Sequence, residues 1–141
     1  MPSTSELFAG NKIRCTTQRR ALYEALVATD SHPTAEELYR MVKPTTTRLS
    51  RATVYNTLDT FCRTGLARRL PSNGCCRFDA DVSRHLHLWF REDGTIQDVP
   101  EELGKKLTQG LPKAVIAEIA RMAGVEIEGI SIQLMARRPR G

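Results

Sequence analysis

The feature that most constrains this chain is a scarcity. It holds only three histidines, and two of them stand together as His85-Leu86-His87. Alternate residues of a β-strand share a face. The pair therefore predicts a strand with both imidazoles on one side, with Leu86 and Leu88 turned into apolar packing. Asp79 ends the strand before it, and Asp98 lies on the strand after it, beyond a turn at Asp93-Gly94 that folds the chain back. Two imidazoles and two carboxylates converging on one point make a mixed nitrogen/oxygen site for a divalent first-row metal. The third histidine, in Ser31-His32-Pro33-Thr34, is expected to reach the same ion from another domain. The candidate ligands are thus His32, Asp79, His85, His87 and Asp98.

Upstream of these carboxylates the chain reads as helices. Residues 1–12 suit a short helix or arm, and Ala21, Leu22, Ala25 and Leu26 give a helical stripe from Thr17 to Ala28. Thr34 is a helix cap, with Glu37 placed to complete a capping box and Leu38, Met41 and Val42 as the buried stripe. Lys43-Pro44 ends that helix. Ser50 caps the next, from Arg51 to Arg63, which Gly65 terminates. Val54, Leu58 and Phe61 face its core side, and Arg51, Tyr55, Asn56 and Asp59 its outer side. Short strands at Leu66–Leu70 and Cys75–Asp79 flank the turn signal Pro71-Ser72-Asn73-Gly74.

Three helices and a hairpin describe a winged helix, whose last helix enters the major groove of double-stranded DNA while the hairpin touches the backbone. Arg51, Tyr55 and Asn56 would meet bases or phosphates, and Arg14, Arg19, Arg20 and Arg48 suit phosphates or a narrow minor groove. The charge supports this placement: the chain carries a net +5, and the whole excess falls within residues 1–80.

Residues 81–84 read as a hinge, and residues 85–141 as a smaller domain for dimerisation and metal sensing. It would hold the antiparallel pair His85–Phe90 and Thr95–Val99, a short helix within Pro100–Gln109 with Leu103 and Leu107 inward, and a helix begun by Pro112 and ended by Gly124. A last strand is expected from Val125 to Ala136, with a bulge at Gly129, followed by a loose basic tail. Such a sheet has open edges, which a homodimer would bury. The fold class is α+β, with the winged helix at residues 1–80 as the DNA-binding domain.

Cys15, Cys62, Cys75 and Cys76 form no C-x-x-C pair, so a structural four-cysteine zinc is not expected. Cys15 and Cys62 read as small core residues; Cys75 and Cys76, on opposite faces of a strand, make a poor disulfide and only a moderate trap for a soft metal. No run approaches the ~18 apolar residues of a membrane span, and a cytoplasmic location is expected.

Four segments together resemble the ferric uptake regulator (Fur) family: Arg14-Cys15-Thr16-Thr17-Gln18-Arg19, His32-Pro33-Thr34-Ala35-Glu36-Glu37-Leu38-Tyr39, Ser50-Arg51-Ala52-Thr53-Val54-Tyr55-Asn56-Thr57-Leu58, and Arg77-Phe78-Asp79 with His85-Leu86-His87. The resemblance implies a homodimeric, metal-responsive transcriptional repressor with one divalent ion per subunit, Fe(II), Mn(II) or Zn(II). It lays the family's regulatory metal site on His32, Asp79, His85, His87 and Asp98, and its DNA contacts on Arg14 and Tyr55. An aspartate at 98 resembles the peroxide-sensing (PerR) branch, in which a ligand histidine is oxidised, here His32 or His85. The family's structural zinc is implied to be missing, because Phe90 and Asp93 stand at its first cysteine pair and no cysteine follows Cys76. That loss is similar to the haem-sensing iron response regulator (Irr) branch. An additional C-terminal metal site is also incomplete, since no histidine follows His87.

Two readings from other classes compete. A metal-independent winged-helix protein would keep its DNA affinity on chelation. A metal-dependent hydrolase would need a nucleophile, a base or a phosphate loop beside the site, and the sequence offers none, so an enzyme is not expected.

Overall fold

A computed structural model of the chain describes residues 1–83, 86–130 and 132–140. Four helices open it: α1 (Thr4–Gly10), α2 (Thr17–Ala28), α3 (Ala35–Val42) and α4 (Arg51–Arg63), with a 3-10 turn at Lys43–Thr45 between the last two. Each begins at a hydroxyl cap. Ser3, Thr16, Thr34 and Ser50 all accept a hydrogen bond from the backbone N–H three residues on. Ser3 and Glu6 form a full capping box that fixes α1. The box expected at Thr34 is only half made: the Thr34 hydroxyl holds the Glu37 N–H, but the Glu37 carboxylate turns to Arg77 instead.

The apolar faces of these helices meet in one core. Phe8, Leu22, Leu38, Val54 and Phe61 are fully buried, and Phe8, Tyr23 and Phe61 pack edge-on or tilted with ring centroids about 5.5 Å apart. Two expected core residues, Met41 and Cys15, lie outside it, and a third, Cys62, packs at its edge. Met41 is 44% exposed, because Ala35, Leu38 and Val42 already complete the inward stripe of the short α3. Cys15 is exposed in the link before α2, and Cys62 is half-buried on α4, where burial raises its thiol pKa.

The wing follows as β1 (Arg68–Ser72) paired antiparallel with β2 (Cys75–Asp79). The strand starts two residues later than the sequence suggests, because Leu66 and Ala67 are buried into the helical core first. It then runs through Pro71 to Ser72, leaving a two-residue turn at Asn73-Gly74 with both φ angles positive, the geometry that twisted hairpins favour.

A second sheet has the order β4-β3-β5, from β3 (His87–Phe90), β4 (Ile96–Asp98) and β5 (Gln133–Ala136), with α5 (Glu101–Gln109) and α6 (Lys113–Ala123) between β4 and β5. Strands β3 and β4 are antiparallel, and β5 runs parallel to β3 on its other side. The last strand is shorter than the sequence pattern suggests: residues 125–130 adopt no strand, and no bulge forms at Gly129. Leu103 and Leu107 are 56% and 44% exposed rather than inward, because the residue of α5 that seats against Leu86 is Gly104. The tail is not loose at Arg138, whose guanidinium pairs with Glu92 and Asp93 and lies 4.2 Å above the Phe90 ring. The architecture is α+β, a winged helix joined to a small mixed sheet. No helix among the described residues is long and apolar enough to cross a membrane.

Candidate metal centre and nucleic-acid face

His32, Asp79, His87 and Asp98 converge. One ligand atom from each lies within 4.8 Å of the others. They come from four places in the fold: the loop before α3, the end of β2, the start of β3 and the end of β4. The register explains the last two, since His87 and Asp98 are directly paired across β3 and β4. His32 Nε2 is 2.9 Å from Asp98 Oδ1, and His32 Nδ1 is 3.5 Å from Asp79 Oδ2. His87 Nε2 lies 3.3 Å from Asp98 Oδ1 and 3.6 Å from Asp79 Oδ2. The two imidazoles stand perpendicular, with centroids 5.5 Å apart. His32, Asp79 and His87 are buried, and Asp98 is partly open to solvent. His85, the fifth predicted ligand, lies outside the described residues.

A buried carboxylate, Asp79, and a partly exposed one, Asp98, gathered around two buried imidazoles are an arrangement that a cation between them would stabilise. With one, they form a mixed nitrogen/oxygen donor set of the kind that holds Fe(II), Mn(II) or Zn(II). The residues therefore fit a divalent metal. His32 is brought there by an unusual backbone: its φ is +50°, in the left-handed region that residues with a side chain seldom occupy.

Arg51, Tyr55 and Asn56 are all exposed on α4, and Tyr55 is 56% exposed. Arg51 is not a bare cation. It makes a bidentate pair with Glu36 at 2.9 and 3.0 Å and stacks 4.6 Å from the Tyr39 ring centroid. Arg14 is exposed before α2, and its backbone carbonyl accepts a hydrogen bond from Arg19 Nη1, so the Arg19 guanidinium lies against the Arg14 backbone.

Ser72 and Gly94 are legible in the sequence only as turn residues, and Arg77 only as part of a short motif. In the structure these three join the wing to the second sheet: Arg77 Nε donates to the Gly94 carbonyl at 2.7 Å, and Ser72 Oγ donates to the same oxygen. The available signal was the strand alternation, which puts Arg77 on the same face of β2 as Asp79.

Fold and site together define a winged-helix protein with a group of histidine and aspartate side chains, fit to hold a divalent metal, between its two sheets. The family model of the ferric uptake regulator family matches residues 10–135, and the chain belongs to that family. Among solved structures, it is similar to a zinc-bound manganese uptake regulator, with 27% identity, a TM-score of 0.69, and coverage of 96% of this chain and 98% of that one. The ferric uptake regulator of Pseudomonas aeruginosa with manganese shares the fold at 24% identity, with a TM-score of 0.71 over 99% of this chain and 100% of the other. Among curated relatives, the peroxide-responsive repressor PerR of Staphylococcus saprophyticus is 37% identical over 89 residues, which is 62% of this chain and 60% of the relative's length. The PerR of Staphylococcus epidermidis is 36% identical over 61% of this chain and 58% of its own length.

Proposed function

We propose that this protein is a metal-dependent, homodimeric transcriptional repressor that binds operator DNA when a divalent ion is held by both of its domains. The observation that carries the reading is the four-residue group of His32, Asp79, His87 and Asp98, assembled from both sides of the hinge. Residues 1–80 form the DNA-binding domain, 81–84 the hinge, and 85–141 the dimerisation and sensing domain. His85, two residues before His87, is a further ligand candidate. A bound cation supplies the charge that lets two carboxylates sit together. The protein's own contribution is geometric. His32 is fixed to the reading head, His87 and Asp98 to the dimer domain, and Asp79 to the strand leading into the hinge. Filling the site selects the arrangement in which both groups of residues are close, so metal and DNA affinities are linked.

The dimer follows from what one chain leaves uncovered. Val115, Ile119 and Met122 of α6 are 50%, 47% and 82% exposed, apolar surface that a second subunit would cover. In the dimer, two α4 helices would meet successive major grooves of the duplex, with Arg51, Tyr55 and Asn56 at the bases and Arg14 and Arg19 at the phosphates. Acting on operator DNA, it would work in the cytoplasm.

A second reading adds peroxide response. Asp98 and the similarity to staphylococcal peroxide-responsive repressors favour it. One experiment tests both: DNA binding titrated in EDTA, Mn(II), Fe(II), and Fe(II) with peroxide. Binding that needs metal supports the repressor, and binding unchanged by EDTA rejects it. Loss with Fe(II) and peroxide alone, with one oxygen atom added to a His32 or His85 peptide, supports the peroxide reading.

A further inference from the structure

We propose that Arg77 is a positioning residue that sets both halves of the metal site at once, by holding the His32 loop and by fastening the wing to the β3–β4 hairpin. This rests on reading His32, Asp79, His87 and Asp98 as a metal site.

The Arg77 side chain is only 8% exposed. An arginine is seldom buried unless its donors are matched, and here they are shared among three elements. Nη1 donates to the His32 carbonyl at 3.1 Å. Nη1 and Nη2 approach the two Glu37 carboxylate oxygens, in the first turn of α3, at 3.4 and 3.2 Å. Nε takes the Gly94 carbonyl, in the turn between β3 and β4, at 2.7 Å. The diversion of Glu37 from its capping role to this guanidinium belongs to the same arrangement.

The first contact acts on His32. Its left-handed backbone leaves the carbonyl pointing where a buried donor must meet it, and Arg77 is that donor. The Phe78 N–H, bonded to the Pro33 carbonyl at 2.9 Å, ties the next residue of the loop to the same strand. One strand thus carries Asp79 and, two residues earlier, the group that aims His32 at it.

The Gly94 contact acts on His87 and Asp98. Ser72 Oγ donates to the same Gly94 oxygen, Trp89 Nε1 donates to Ser72 Oγ at 3.0 Å, and Asn73 Nδ2 donates to the Arg91 carbonyl at 3.1 Å. The hairpin bearing His87 and Asp98 is therefore seated on the wing through its own turn. The seat is close. Gly94 is buried with φ +75°, and a Cβ there would lie 2.9 Å from Ser72 Oγ and 3.1 Å from Asn73 Nδ2. A lysine at 77 would keep the charge but lose the planar fork that reaches three acceptors.

The test uses the full chain with Mn(II) for affinity and Co(II) absorption as a reporter of the donor set. Arg77→Lys should lower Mn(II) affinity by about 10- to 100-fold, the usual effect of removing an orienting partner, and should shift the Co(II) spectrum because His32 is no longer aimed. Gly94→Ala, which disturbs the seat from the hairpin side but keeps the Arg77 donor to the His32 carbonyl, should lower Mn(II) affinity with a smaller change in the Co(II) spectrum than Arg77→Lys gives. Far-UV circular dichroism establishes that each variant folds, and should Arg77→Lys not fold, Gly94→Ala carries the test. Folded variants with wild-type Mn(II) affinity and spectrum would overturn the proposal, whatever their thermal stability. The metal-site reading fails separately, if His87→Ala binds Mn(II) as the wild type does.

Discussion

His32 Nε2 and Asp98 Oδ1 approach to 2.9 Å although 66 residues separate them in the chain. One sits on the loop before α3, the other at the end of β4. Their meeting is a property of the whole fold, and it joins the loop before α3 to the second sheet. Asp98→Ala should cut Mn(II) affinity by more than the roughly 10- to 100-fold loss typical of outer partners, measured by the free-Mn(II) signal in electron paramagnetic resonance. Because metal displaces protons from its ligands, affinity should also fall as pH is lowered.

The exposed residues of α4 and the arm should separate into two kinds. Tyr55→Ala should cost about 1–3 kcal/mol at the specific operator and relax its sequence preference, as loss of a base contact does. Arg14→Ala should weaken specific and nonspecific duplexes alike and reduce the salt slope by about 1. Fluorescence anisotropy over a salt series distinguishes them.

Glu36 and Arg51 pose a competition. The Arg51 guanidinium, bonded through two nitrogens, holds the Glu36 carboxyl below its ordinary range, and Glu36 in turn raises the Arg51 pKa. Glu36 is therefore ionised at neutral pH, where it would compete with DNA for the Arg51 guanidinium. Glu36→Gln should raise DNA affinity at pH 7, and the difference from wild type should shrink only in acid, below the usual glutamate range, where Glu36 itself takes a proton. Equal affinities at pH 7 would show that the pair is irrelevant to binding.

The uncovered face of α6 predicts its own variant. Ile119→Glu should convert dimer to monomer in sedimentation velocity and weaken operator binding, with the winged helix still folded. By contrast Phe61→Ala, in the centre of the helical core and fully buried, should destabilise the head by about 3–5 kcal/mol, read by urea unfolding.

What the sequence made legible was local. Apolar spacing placed α2, and hydroxyl caps with apolar spacing placed α3 and α4, because a cap and a stripe are short-range signals. The convergence of Asp79, His87 and Asp98 was readable because strand alternation and one turn suffice to build it, and His32 joined them only as the last histidine without a place. What stayed hidden depended on long-range packing. Glu37 reads as a cap partner until Arg77, 40 residues away, is known to face it. Leu103 and Leu107 read as inward from their spacing, but spacing cannot say whether the covering surface belongs to the same chain. Residues 125–130 carry apolar alternation without a neighbouring strand to pair with, and Arg138 finds Phe90 only once β5 lies beside β3.

The most direct measurement is anomalous diffraction from crystals of the chain loaded with Mn(II). The account predicts one ion per subunit, coordinated by side chains of His32, Asp79, His87 and Asp98 together. An ion held without His32, or no anomalous peak among these four side chains, would contradict it.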